Sequence, residues 1–204
     1  MNGKTGTTNI AVFASGRGSN FRAVLGRIES GDLKNACVAA VVSNNSASGA
    51  LELARSREID AFHISSRTHP DPGDREQALL RVLRSHDIDL ILLAGYMKLL
   101  PRSMIKAYSR RILNIHPALL PRFGGKGMYG IKVHESVISS GVEETGVTIH
   151  YVDERYDEGP IIAQRRIPVR QNDTPESLAA RVLEVEHDFY WHVIDHVING
   201  TPLR

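Results

Sequence analysis

Short apolar runs typical of strands alternate along this chain with longer segments in which apolar residues recur at helical spacing. The clearest run, residues 89–95, is apolar almost throughout, as expected for a strand in the middle of a parallel sheet with both faces covered. Strands that alternate with helices imply right-handed crossovers, which leave few possible topologies. We therefore predict a doubly wound, mostly parallel α/β sheet in a single domain over residues 1–204.

Five strands and three helices are predicted in the first part of the chain. The strands are expected at residues 9–15, 36–43, 61–65, 89–95 and 112–115. The first helix is expected to begin at a cap on Ser19 or Asn20, the second to cover residues 48–58, and the third to open at Asp74. This order of elements places ligands at the carboxyl ends of the strands.

The last part of the chain has a different pattern. Residues 146–152 alternate between apolar and polar, which suits a strand covered on one side. Residues 161–169 are predicted to pair with it through a turn at residues 157–160, so this portion of the sheet is expected to be antiparallel. Asp173 or Thr174 is predicted to cap a long final helix.

The composition excludes several classes of protein. Hydrophobic residues make up 42% of the chain and charged residues 24%, which is typical of a globular protein. The formal net charge of +2 implies no nucleic-acid partner. No apolar run is long enough to span a bilayer, and residues 1–8 form a polar extension without a secretory pattern, so no membrane partner is expected. Cys37, the only cysteine, is interpreted as a buried small hydrophobe, which favours a cytoplasmic location.

Residues 114–117, Asn-Ile-His-Pro, indicate chemistry most clearly. Asn114 and His116 are two apart at a strand end, so their side chains point the same way. An amide donor beside a titratable imidazole, with Asp157 supplied by a later turn, is suited to stabilising an oxyanion and moving a proton. We expect Asp157 to raise the pKa of His116 and to hold it as imidazolium. Taken singly, His116 would be interpreted as structural and Asp157 as a turn residue.

Residues 15–20, Ser-Gly-Arg-Gly-Ser-Asn, lie between the first strand and the first helix. Backbone amides at a helix N-terminus bind phosphate, and glycines let a ligand approach closely. The segment is not a Walker A loop, and Phe21 stands where a dinucleotide fingerprint has its third glycine. An ordinary capped turn between strand and helix is an equally good interpretation of this segment alone.

Two further segments have more than one interpretation. His192 and His196 have the spacing of metal ligands on a helix, but no Glu or Cys stands where a zinc motif needs it. We interpret them as a solvated face and predict no metal. The glycine-rich residues 124–130 form either a lid or simply a loop.

Four segments in order resemble the phosphoribosylglycinamide formyltransferases, a folate-dependent family of purine synthesis. They are Ser15 to Asn20, Leu93 to Met97, Asn114 to Pro121 and Asp157 to Ile162. The resemblance runs from about Asn9 to the last helix. It implies a Rossmann-like formyltransferase fold and transfer of a formyl group from 10-formyltetrahydrofolate to the amine of glycinamide ribonucleotide. It implies small-molecule substrates and a monomer or homodimer.

The same resemblance assigns site residues. Gly18, Ser19 and Asn20 would hold the substrate phosphate, and Glu186 would contact the ribose hydroxyls. Asn114, His116 and Asp157 would be catalytic, because the amine attacks the formyl carbon directly and charge builds on the formyl oxygen. The folate is expected to contact Arg75, Met97, Lys98, Leu99, Leu100, Asn114, Asp153 and Asp157.

Three alternatives remain beside this interpretation. Methionyl-tRNA formyltransferases share the His-Pro segment but add a nucleic-acid-binding domain, and formyltetrahydrofolate hydrolases add a regulatory domain. A non-catalytic nucleotide- or folate-binding module is the third, although it has no need of the Asn114, His116 and Asp157 trio. Residues 123–133 are longer than in better-known members of the family, so the match of His134 to a family histidine is left open.

Overall fold

The computed structural model describes residues 6–203, which are built around one seven-stranded sheet. Its strands are β1 (Thr8–Phe13), β2 (Ala36–Ser43), β3 (Asp60–His63), β4 (Leu90–Leu93), β5 (Ile112–His116), β6 (Glu144–Tyr151) and β7 (Ile161–Pro168). They lie side by side in the order β3-β2-β1-β4-β5-β6-β7. The pairs among the first five are parallel, while β6 runs antiparallel to β5 and β7 antiparallel to β6. The predicted mostly parallel sheet with an antiparallel C-terminal portion is confirmed.

Six helices connect or follow the strands in the described residues. They are α1 (Ser19–Glu29), α2 (Gly49–Ser56), α3 (Pro72–Ser85), α4 (Arg102–Ala107), α5 (Ile131–Ser139) and α6 (Pro175–Asn199). The long last helix is confirmed at 25 residues. The sequence analysis did not predict α4 and α5, which have 6 and 9 residues. Such short helices show few turns of apolar periodicity.

The start of α1 differs from the prediction that Ser19 or Asn20 caps it. Gly18 is the N-cap, with a left-handed φ of 75°, and no side chain caps this helix. Glycine suits this position because a Cβ here would lie 2.9 Å from the Cα of Ala50. The amide of Asn20 is bonded to Glu186 instead of capping the helix.

Side-chain caps set the starts of α2, α3 and α6. The prediction that Asp74 opens α3 is wrong, because Asp71 is the N-cap and accepts a hydrogen bond from the Asp74 N–H at 2.9 Å. Thr174 caps α6, one of the two predicted possibilities, and Ser177 completes a capping box with it.

The sheet is covered on both faces, as predicted for its central strands. Along β1, Ile10 and Val12 belong to a core cluster with α1, α2 and α6, while Ala11 and Phe13 belong to a second cluster with α3 and α4. All four residues of β4 are buried. This alternation between two apolar layers explains why β4 is an uninterrupted apolar run.

Three sequence expectations need correction or lie outside the structure. The expectation that residues 146–152 are covered on one side only is wrong, since six of the eight positions in β6, including Thr148 and His150, are buried. Cys37 is exposed, because the first half of β2 alternates between buried and exposed positions. Of the polar extension, residues 1–5 lie outside the described residues, and Thr8 already belongs to β1. None of the helices in residues 6–203 is both long enough and apolar enough to cross a membrane.

Candidate active site

A cavity of about 710 Å³ opens at the carboxyl ends of β1, β4 and β5. Residues far apart in the sequence line it: the loop from Gly16 to Asn20, the β5 end from Asn114 to Pro117, residues 125–131, and side chains of α5 and α6. Parallel strands end at the same edge of a sheet, so the fold brings these segments together. The cavity therefore joins the two motifs that the sequence analysis singled out.

Asn114, His116 and Asp157 meet at one wall of this cavity, as the sequence analysis expected. The Nδ1 atom of His116 lies 3.6 Å from Oδ2 of Asp157, and Nδ2 of Asn114 lies 3.5 Å from Oδ1 of the same carboxylate. The two β5 residues are positioned by their alternation on one strand. Asp157 comes from the turn between β6 and β7, at a left-handed φ of 58°.

The protonation state of His116 differs from the expectation. His116 is 3% exposed, and this burial lowers its pKa below the ordinary value, although Asp157 and the carbonyl of Phe123 both act to raise it. The free protein therefore holds His116 mainly as neutral imidazole at pH 7. Its Nε2 lies 2.8 Å from the Phe123 carbonyl oxygen, which can only accept, so the neutral ring carries its proton on Nε2.

Backbone of the glycine-rich segment also holds Asp157. The N–H of Gly125 donates a hydrogen bond of 2.8 Å to Oδ2 of Asp157. The neighbouring Gly124 packs so closely that a Cβ would overlap Leu120 and lie 3.1 Å from the Cβ of Asp157. Residues 123–125 thus contact both the His116 imidazole and the Asp157 carboxylate.

His150 is a site residue that the sequence analysis missed. It faces Asn114 in the β5–β6 register, and its Nε2 lies 3.0 Å from Nδ2 of Asn114. Its Nδ1 donates to the backbone carbonyl of Tyr151 at 2.9 Å, so Nε2 is left to accept from the amide. Burial lowers the pKa of His150 and keeps the ring neutral. Its position among the polar residues of an alternating strand was the available indication.

Residues of α1 and α6 also line the cavity. They include Ser19 and Asn20 at the start of α1, and Glu186 of α6. Nδ2 of Asn20 donates to Oε2 of Glu186 at 2.9 Å, while Oδ1 of Asn20 has no hydrogen-bond partner. Burial raises the pKa of Glu186 to about 7, against the opposing effect of the Asn20 hydrogen bond.

The residues expected to contact folate are scattered around the cavity. Met97 lines it and is 46% exposed. Leu100 is buried in the core cluster of α3 and α4, so its side chain is not open to a ligand. The remaining four, Arg75, Lys98, Leu99 and Asp153, do not line the cavity.

Within residues 6–203, no group of three or more His, Cys, Asp or Glu side chains is arranged to hold a metal ion. His192 and His196 are partly buried rather than fully solvated. Each ring places Nδ1 at hydrogen-bond distance from a backbone carbonyl, that of Asp188 for His192 and that of Thr201 for His196. These contacts explain the pair without a metal.

The family model described as Formyl transferase matches residues 8–194 of the chain. The chain belongs to the formyltransferase family. The chloroplastic phosphoribosylglycinamide formyltransferase of Arabidopsis thaliana is 48% identical to this formyltransferase over 203 residues, covering 95% of this chain and 69% of the relative. Phosphoribosylglycinamide formyltransferase of Bacillus subtilis strain 168 is 38% identical, covering 92% of this chain and 93% of the relative.

A solved structure supports the same assignment. Glycinamide ribonucleotide transformylase 1 of Geobacillus kaustophilus superposes on this formyltransferase with a TM-score of 0.87 and 40% sequence identity. The superposition covers 95% of this chain and 100% of the other. The resemblance inferred from four sequence segments is therefore confirmed, and the protein is a transferase.

Proposed function

We propose that this formyltransferase transfers the formyl group of 10-formyltetrahydrofolate to the amine of glycinamide ribonucleotide in purine biosynthesis. One observation carries the proposal: a single cavity joins the N-terminus of α1 to Asn114 and His116. An anionic substrate held at the N-terminus of α1 can present its other end to Asn114 and His116. The names of the relatives, at 38% to 48% identity, point to the same substrate.

The ribonucleotide is bound by its phosphate and its ribose. The backbone amides of Gly18, Ser19 and Asn20 are assigned to the phosphate, because the positive end of the helix dipole favours an anion. Glu186 is assigned to the ribose hydroxyls, which donate to a carboxylate. Its buried position beside Asn20 supports this role, since Asn20 is its one polar partner within the part of the chain that the structure describes.

The folate is assigned to the open side of the cavity. Met97 and Asp157 line this region, and Asn114 reaches it from β5. Arg75, Lys98, Leu99 and Asp153 are assigned to the more distal parts of the folate, beyond the cavity wall. Leu100 is assigned through its backbone, because its side chain is buried.

The reaction needs no protein nucleophile. The substrate amine attacks the formyl carbon, so that a new C–N bond forms while the bond from that carbon to N10 of the folate breaks. The amine loses one proton and N10 gains one, which keeps the equation balanced. The Asn114 amide stabilises the negative charge that develops on the formyl oxygen, a contribution of about 3 kcal/mol for one donor.

His116 is assigned to proton transfer. In the free protein its Nδ1 is the unprotonated nitrogen and faces Asp157. A proton leaving the amine, directly or through a water, can be accepted at Nδ1, and the Asp157 carboxylate then stabilises the imidazolium. Returning this proton to N10 completes the cycle, and such a step typically contributes about 10² to 10⁴ in rate.

The test is to mix the protein with glycinamide ribonucleotide and a formylfolate, to follow the folate absorbance, and to identify the formylated ribonucleotide by mass. Omitting the ribonucleotide separates transfer from hydrolysis, in which water replaces the amine. We expect deformylation only when the ribonucleotide is present. Equal rates without it would favour the hydrolase alternative, and no turnover in either mixture would favour a binding module.

A pair of variants tests the assigned site. His116→Ala is expected to abolish transfer while both ligands still bind, as measured by calorimetry. His63→Ala is the matched control, because His63 lies on β3 and does not line this cavity. Full activity in His116→Ala would rule out the proposed proton transfer.

A further inference from the structure

His134 lines the same cavity as His116, yet the mechanism above gives it no task. It lies on the first turns of α5, and its side chain is 4% exposed. Its Nδ1 atom is buried and has no hydrogen-bond partner among residues 6–203. Buried polar atoms in native proteins are rarely left unsatisfied, so this ring needs an explanation.

The surroundings of His134 determine its tautomer and charge. A buried N–H without an acceptor is rarer than a buried lone pair without a donor, so the proton belongs on Nε2 and the lone pair on Nδ1. Burial and the neighbouring His116 lower the pKa of His134 to about 4. The ring is therefore a neutral hydrogen-bond donor near pH 7, and it is too weak a base to accept the amine proton.

The position of His134 in the cavity suits a contact with the glycinamide arm of the proposed substrate. If the proposed function holds, the phosphate lies at the start of α1, the ribose at Glu186 and the amine at His116. The group between the ribose and the amine is the amide of the glycinamide arm, whose carbonyl oxygen accepts hydrogen bonds. His134 of α5 is a neutral donor in the wall of this cavity, and it lies close enough to His116 for the charge of His116 to lower the pKa of His134.

We propose that His134 donates a hydrogen bond from Nε2 to the amide oxygen of the ribonucleotide's glycinamide arm and thereby helps to select that substrate. The inference rests on the proposed function. It makes His134 a specificity residue for the amine-bearing substrate, with no contact to the folate. It predicts that a ribonucleotide amine without a strong acceptor at this position is a poor substrate.

The experiment compares His134→Leu with His134→Gln, whose side-chain amide retains a donor. In His134→Leu we expect the KM for the ribonucleotide to rise about tenfold, the KM for the formylfolate to stay unchanged, and His134→Gln to recover most of the loss. Val137→Ala is the structural control, because Val137 is fully buried on the same helix and does not line the cavity. It should lower the melting temperature without raising either KM.

A substrate analogue gives an independent measurement that does not depend on the variants folding. Replacing the amide oxygen by sulfur, a weaker acceptor, should lower kcat/KM in the wild type and cause little further loss in His134→Leu. An unchanged ribonucleotide KM in His134→Leu, or equal use of oxygen and sulfur substrates by the wild type, would overturn the inference. Failure of the wild type to formylate the ribonucleotide at all would instead refute the proposed function.

Discussion

The Nδ1 atom of His116 lies 3.6 Å from Oδ2 of Asp157 in a wall of the cavity, and the side chain of His116 is 4% exposed. Two opposite effects act on this ring. Burial lowers the pKa of His116, and the Asp157 carboxylate raises it, with burial the larger. Burial therefore disfavours the imidazolium form of His116 in the free protein. The Asp157 carboxylate is the neighbouring charge that stabilises this form when it does arise.

Replacing this charge should lower the pKa of His116 further. In Asp157→Asn the Coulombic attraction is lost, while Asn keeps an oxygen that can accept from the Gly125 N–H. We expect an NMR titration of the imidazole to move to lower pH, and kcat to fall about 10²-fold or more. Glu158→Gln, at the exposed neighbouring position, should change neither quantity. A His116 pKa that stays the same or rises in Asp157→Asn would contradict the assignment.

Glu186 predicts a pH dependence of ribonucleotide binding. Its pKa is raised to about 7, so the carboxyl ionises as the pH rises through neutrality. The ionised form accepts hydroxyl hydrogen bonds more strongly, and the KM for the ribonucleotide should therefore fall between about pH 6 and pH 8. Steady-state kinetics across this range gives the measurement.

The substrate phosphate also ionises near pH 6 and needs its own control. Glu186→Gln should retain only that contribution and should raise the KM about tenfold at pH 8. A Glu186→Gln profile that parallels the wild type would show that Glu186 does not cause the pH dependence.

Gly124 is expected to be intolerant of any side chain. A methyl group here would overlap Leu120 and press on the Cβ of Asp157, at 3.1 Å. Gly124→Ala should therefore displace the carboxylate from His116 and reduce kcat about tenfold or more, with smaller effects on either KM. Gly26→Ala is the matched control, since no atom lies within 4 Å of an added Cβ and alanine favours an exposed helical site. A kcat in Gly124→Ala equal to that of the wild type would contradict this prediction, because it would mean that the added methyl group leaves the Asp157 carboxylate functional.

Three buried histidines should make the protein sensitive to acid. The pKa values of His116, His134 and His150 are all lowered, that of His134 to about 4. Between the unfolded pKa of about 6.5 and these folded values, the unfolded chain binds more protons, so stability falls as the pH falls. His134 alone should account for a loss of about 3 kcal/mol between pH 7 and pH 4.

Urea denaturation at a series of pH values measures this slope. His134→Phe should be less sensitive to acid than the wild type, with a slope reduced by up to one proton. Thermal unfolding of both proteins at pH 7 serves as the reference for the change in packing. A slope that is the same in both proteins would mean that His134 does not titrate differently on folding.

The sequence predicted the architecture well where local patterns extend over several turns or a full strand. Residues 89–95 indicated a central strand because both faces of β4 are apolar, and α6 was recognised from its long apolar stripe and its Thr174 cap. The short α4 and α5 were not predicted, since each contains few apolar residues at helical spacing. The cap of α1 was placed wrongly, because a side chain at position 18 would collide with Ala50, which is distant in the sequence. The sequence alone does not show this contact.

The candidate site divides in the same way. Asn114, His116 and Asp157 were recognisable from residue type and spacing, and residues 16–20 from glycines before a helix. His150 was missed because its partner, Asn114, lies across the β5–β6 pairing. The direction of the pKa shift of His116 was predicted wrongly, because the sequence shows that a carboxylate is available but not how deeply the ring is buried.

The sequence by itself determined the alternation of strands and helices, the family and the chemical groups of the site, because periodicity and motif spacing are properties of neighbouring residues. Only the tertiary structure decided that His116 is neutral, that Glu186 titrates near pH 7, and that His134 lines the cavity while its Nδ1 is buried without a partner among residues 6–203. These properties depend on burial and on distances between segments far apart in the chain, and both are set only when the sheet and its helices are packed.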